Sequence, residues 1–216
     1  MVVIRRYSIL AHASRFRSPV ISMSSRVDAI NIRWIFDRVY KSSDIMRIRC
    51  MRGTLHIVNS DDAMIYHKAT LPYRLKTCNY LKRKIGFESH MNEVIENFVL
   101  DSLNDSSKTI HELIIDVSNK KLPQHIQRKD YIRLTVRSLW EDGTLCRVDD
   151  SENWNKEGNK YCIFSKRYPN IELNEFDGKE AESVLIEEYF KSYGPSTIID
   201  ASWWSGLGIG RVRDIF

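Results

Sequence analysis

The decapeptide RCMRGTLHIV (residues 49–58) alternates apolar side chains as a strand does, yet it carries Arg49, Arg52, Thr54 and His56 and is interrupted by Gly53. In an unbroken strand Arg52, Thr54 and His56 share a face. That face would set a cation able to hold a phosphate beside a hydroxyl and an imidazole. A bulge at Gly53 would turn Arg52 aside. In the competing reading Thr54 and His56 are a buried support, and buried polar groups need partners either way. Further candidates for contact with a polyanion are Arg47, Arg49 and the run Lys82, Arg83, Lys84, then Arg128, Lys129, Arg133 and Arg137 along one helical stretch. Phosphate contacts of this kind give affinity without sequence choice and weaken steeply with salt. Trp203 and Trp204 invite a stacking role, but of two neighbouring tryptophans on an amphipathic helix at least one is expected in the core. The acids of WEDGTL (140–145) mark a helix stop and not a catalytic pair. Cys50, Cys78, Cys146 and Cys162 form no C-x-x-C pair, so neither a zinc site nor a disulfide scaffold is signalled, and no metal or cofactor is expected.

These side chains sit in a chain of 216 residues, enough for one large domain or two small ones. Its apolar runs are far shorter than the roughly 20 residues that cross a bilayer and its cysteines suit a reducing interior, so a soluble, cytoplasmic protein is the expectation. Charge is unevenly placed. Residues 1–85 hold 17 Lys/Arg against 5 Asp/Glu, a balance of +12, and residues 86–216 hold 16 against 23, a balance of −7; together they make the net +5. Such asymmetry suits a protein that meets a polyanion with one face, although a merely solvated basic face would look the same. The first 27 residues are rich in Arg and Ser and poor in acids, as mitochondrial transit peptides are.

The clearest elements follow Ser89. Met91, Val94, Ile95, Phe98, Val99 and Leu103 form one helical stripe. Thr109 with Glu112 has the spacing of a capping box before a second helix, and a third runs from Asp130 to the Asp142-Gly143 stop. Strand-like TLCRV (144–148) and KYCIFS (160–165) then make a hairpin with a long polar tip. Three helices and a two-stranded ribbon are the order of a winged helix. In the tail, Asp177 with Glu180 opens a helix that Gly194-Pro195 ends, and Thr197 with Asp200 opens a short one before Gly206 and Gly208. In front, residues 27–40 predict a helix burying Ile30, Trp34 and Val39; residues 45–58 predict a bent strand or strand pair hinged at Gly53; and a helix is expected from Ser60 to just before Pro72. The expected fold is therefore α+β and mainly helical, built of tandem winged-helix modules. Residues 1–86 would be an incomplete first module, 87–170 a second, and 171–216 the start of a truncated third.

MRGTLHIV (51–58) together with YFKSYGPSTIIDASWWSGL (189–207) resembles the winged-helix DNA-binding domain-containing proteins of the AlkZ/YcaQ type, which are bacterial DNA glycosylases. The likeness covers essentially the whole chain, although family members are usually longer at both ends. It implies tandem winged helices around duplex DNA and hydrolysis of the N-glycosidic bond of alkylated or crosslinked bases. It also implies a Gln-x-Gln pair upstream of the strand. Anchoring on Pro19 and Arg26 puts those two positions on His12 and Ser14, neither a glutamine. Residues 9–27 are thereby assigned to the folded core, which counts against a transit peptide. His12 and Ser14 become the candidate catalytic residues, supported by Arg52, Thr54 and His56; alternatively they are ordinary helix residues. The expected partner is double-stranded DNA, met by a monomer. The competing function is a winged-helix transcription regulator that cuts no bond, for which the chain lacks a long heptad seam.

Overall fold

Short alternating segments pair at once in the front of the chain. The computed structural model describes residues 10–26, 31–119, 127–150 and 156–216. Strand β1 (Leu10–His12) leads to α1 (Ser18–Ser24), opened by buried Pro19 in the first turn, and then to α2 (Ile32–Tyr40), capped by the Asn31 side chain. Strands β2 (Ile45–Arg49) and β3 (Leu55–Asn59) pair antiparallel about a tight turn, and β1 adds to the other side of β3, giving the order β1-β3-β2. Helix α3 (Ala63–Lys84) follows.

Two expectations are corrected here. In α2, Ile35, Phe36, Val39 and Tyr40 are buried while Trp34 is 47% exposed; Ile30 lies outside the described residues. Helix α3 does not stop before Pro72 but continues for twelve residues beyond it. An interior proline costs about 3 kcal/mol, and burial of His67, Thr70, Arg74 and Cys78 along the same helix offsets that cost.

In the second half the three expected helices and the two-stranded ribbon appear in order, but the last strand ends at Ile163 and Phe164 opens a helical turn. Helix α4 (Ser89–Ser102), the two-residue strand β4 (Lys108–Thr109), α5 (Ile110–Ser118) and α6 (Lys129–Glu141) precede β5 (Leu145–Val148) and β6 (Lys160–Ile163), with a single turn α7 (Phe164–Arg167) after them. The sheet order is β4-β6-β5. Thr109 and Glu112 complete the capping box, and Gly143 at φ 90° ends α6. Ile95, Val99, Leu113, Val117, Ile132 and Val136 interlock at the centre of this core. The fold is α+β, mainly helical, with winged-helix organisation.

The tail forms α8 (Gly178–Tyr193), α9 (Ile198–Ser205) and α10 (Ile209–Ile215), packed around Ile186, Tyr189, Ala201 and Val212. Two compact units result. One joins the described residues up to Tyr73 with Ile171–Phe216, and the other is Arg74–Asn170. The tail thus groups with the front of the chain, where the sequence suggested a separate third module. Among the described residues no helix is long and apolar enough to cross a membrane.

Candidate active site and nucleic-acid interface

Strand β1 is three residues long and is created by pairing. Its apolar residues Ala11 and Ala13 turn inward, so His12 and Ser14 turn outward and are exposed. The ladder continues through the Ala13 N–H, which donates to the Leu55 carbonyl at 2.7 Å. His12 and Ser14 are therefore strand and turn residues, which corrects the alternative that they lie in a helix. Ser14 Oγ and His12 Nε2 share a hydrogen bond of 3.0 Å.

Opposite His12 in register stands His56, their rings edge to face with centroids 5.5 Å apart. His56 Nδ1 lies 3.1 Å from the Thr54 carbonyl, which can only accept, so Nδ1 carries the proton and Nε2 is the basic nitrogen. Cys50 Sγ is 3.4 Å from the same Nδ1. Burial pushes the His56 pKa down to about 4, the Thr54 hydrogen bond opposes this, and the nearby His12 adds to it. The ring is neutral at physiological pH. The Thr54 side chain acts elsewhere, its hydroxyl donating to the Met51 carbonyl at 3.0 Å and bracing the turn between β2 and β3.

Arg52 leaves the strand face altogether. It and Gly53 both have positive φ, 56° and 66°, the mirror-image turn that suits a twisted hairpin. A left-handed arginine is unusual, and its guanidinium is held over the ring of Trp203 at 4.1 Å. Trp203 is 66% exposed, whereas Trp204 packs against Tyr189 and Tyr193 in the tail core. One of the two tryptophans is thus core and the other is surface. The contact is possible because Gly206, the left-handed cap of α9 at φ 82°, brings its backbone against the turn. A Cβ there would lie 3.1 Å from the Arg52 nitrogen and 3.3 Å from its Cα. A Gly206→Val variant, strained in its own backbone and colliding with another, is expected to lose about 2–3 kcal/mol. Thermal unfolding checks the loss, and an unchanged midpoint would mean that the tail and the turn do not meet.

The remaining cations separate into three kinds. Arg47 is buried, 7% exposed, with its guanidinium 5.1 Å from the Tyr40 ring centre, so the structure corrects its assignment as a surface contact. Lys82 is half-buried and donates to Asn92 Oδ1 at 2.5 Å; burial lowers its pKa, and Arg83 and Lys84 beside it are exposed. On α6, Lys129 and Arg133 are exposed, Arg128 forks onto Asp130 at 2.6 and 3.1 Å and stacks on Tyr131, and Arg137 lies 3.7 Å from Glu141. Arg49 is half-buried, its Nη2 beside Gly53. What sequence reasoning missed is the pairing of Arg52 with Trp203. The only signal was that both belong to the two segments that together carried the family likeness. Among the described residues no cluster of His, Cys, Asp or Glu could hold a metal ion.

Comparison with known proteins gives the family and the fold. The family model described as DNA glycosylase AlkZ-like matches residues 7–216. Among solved structures, the Streptomyces sahachiroi DNA glycosylase AlkZ is similar in fold, with a TM-score of 0.71 at 19% sequence identity, over 96% of this chain and 56% of that chain. The chain therefore spans little more than half the length of that relative. No curated protein matches the sequence significantly.

Proposed function

Because the chain belongs to the AlkZ-like DNA glycosylase family, we propose that it binds duplex DNA and hydrolyses the N-glycosidic bond of alkylated bases, with His12 and Ser14 at the reacting centre. The observation that carries this reading is the exposed His12–Ser14 pair, joined at 3.0 Å beside a neutral His56. An N-alkylated purine is already cationic, so its departure leaves a neutral base and a developing positive charge at the sugar C1′. The protein need only place a water against that carbon and surround the charge with acceptors. When the Ser14 hydroxyl donates to His12 Nε2, its lone pairs remain to accept from such a water. The neutral His56 adds no positive charge to a site that must admit a cationic base. Arg52, stacked on exposed Trp203, offers a guanidinium for a phosphate in the same unit. Lys129 and Arg133 offer theirs on α6, the recognition helix of the winged-helix unit.

Fluorescence anisotropy with a short duplex tests the binding half. The expected affinity falls about 10³-fold or more between about 50 and 200 mM salt if six or more phosphates are met. Absence of binding at about 50 mM salt would refute it. Incubation with DNA containing 7-methylguanine tests the catalytic half through release of the free base. His12→Ala is expected to lower that release by about 10²-fold, the size of one positioned polar group in a transition state, with duplex affinity unchanged. A footprint confined to one palindromic sequence, with no base released, would instead favour a transcription regulator.

A further inference from the structure

Two of the four cysteines face each other across the wing. Cys146 on β5 and Cys162 on β6 are direct register partners, with Sγ atoms 3.2 Å apart. Residues opposed in this way on antiparallel strands have Cα atoms about 4.5–5.5 Å apart, inside the range of about 4.4–6.8 Å that a disulfide spans. We propose that Cys146 and Cys162 are a redox-active dithiol that low-molecular-weight disulfides oxidise to a cross-strand disulfide.

The two thiols are unequal. The hydrogen bond from Cys146 holds the Cys162 thiol below its ordinary pKa against the opposing effect of burial, and the charge of Arg167 adds to the lowering. The same hydrogen bond, with burial, holds Cys146 above its own. Cys162, the less buried of the pair, is the attacking thiolate. It displaces one thiolate from the small disulfide and forms a mixed disulfide. Cys146 then loses its proton to solvent and attacks Sγ of Cys162, releasing the second thiolate. Two cysteine thiols and one small disulfide become one protein disulfide and two small thiols, and two electrons pass from the protein to the oxidant. No strand movement is needed, since the register already places the partners. Cys50 and Cys78 have no place in this exchange; they are buried, at 0% and 1% exposure. The bond would close residues 147–161, the wing and its polar tip, into a loop.

Oxidised glutathione is the probe. The full chain is exposed to it, denatured in the presence of iodoacetamide so that buried thiols are also blocked, digested and mapped by mass spectrometry. The expected result is the loss of two of the four alkylatable thiols and a crosslinked peptide pair containing Cys146 and Cys162, both reversed by dithiothreitol. Cys146→Ser is expected to accumulate a persistent glutathione adduct on Cys162, and Cys162→Ser to leave Cys146 without one. Full alkylation of all four thiols in the treated wild type, or a lasting adduct on Cys162 with no crosslink, would overturn the proposal.

Discussion

An Arg74→Ala variant is expected to lose about 3–5 kcal/mol of stability. Arg74 and Glu141 are each 1% exposed, with Nη1 at 2.9 Å from the Glu141 carboxylate. The same Nη1 also donates to the Glu141 backbone carbonyl at 2.6 Å. That carbonyl belongs to the last turn of α6, where backbone acceptors have no partner inside the helix and a cation is favoured. Truncating Arg74 leaves a carboxylate in the interior without its closest guanidinium, Arg137 lying at 3.7 Å. Typical domains are stable by about 5–15 kcal/mol in total, so the variant sits near its unfolding limit at room temperature. Urea unfolding measures the effect as a lowered midpoint at constant slope. The pair is not itself a net source of stability, because desolvation of two charges consumes most of their attraction. Arg74→Met combined with Glu141→Leu is accordingly expected to recover most of the loss. A loss below about 1 kcal/mol in the single variant would show that water reaches the pair.

The second large effect is the pH dependence contributed by His56. Its folded pKa, about 4, lies below the unfolded value of 6.5. Between these values the unfolded chain holds a proton that the folded chain does not, so stability rises with pH across this window. The contribution is complete above pH 6.5 and is lost as pH falls toward 4, by up to about 3 kcal/mol. Half-buried Asp62 and Asp142 act in the opposite sense, since desolvation raises both of their pKa values. The comparison that isolates the histidine is therefore wild type against His56→Gln. The expected outcome is a stability curve for the variant that is flatter between pH 6.5 and 4 and runs parallel to the wild type above that window. Curves parallel throughout would mean that the imidazole is solvated. A ring forced to stay neutral suits the proposed role of His12 beside it, at a site proposed to take a cationic base.

What could be read from the chain was whatever is encoded over one or two turns. The apolar stripe from Met91 to Leu103, the Thr109–Glu112 and Thr197–Asp200 capping boxes, and the Asp142-Gly143 stop are local, and each marks an element of the structure. The winged-helix order follows from them, because short loops between amphipathic segments leave few ways to close a core. Three other features contradict or escape local rules. Pro72 signals a stop that long-range burial of Arg74 overrides. Arg47 reads as a surface cation, yet both faces of β2 are covered and the side chain is shut in. Strand β1, three residues long, is too short to show a period at all and exists because β3 has a second edge to fill.

Length, charge asymmetry, the limits of the capped helices after Ser89 and the two family segments were determined by the sequence alone. The tertiary structure alone decided that His12, Ser14 and His56 meet, that Arg52 leaves its strand for Trp203, and that Cys146 faces Cys162. Such contacts join residues from different strands and helices. Their geometry depends on register and on backbone approach, as at Gly206, which no local pattern of side chains records.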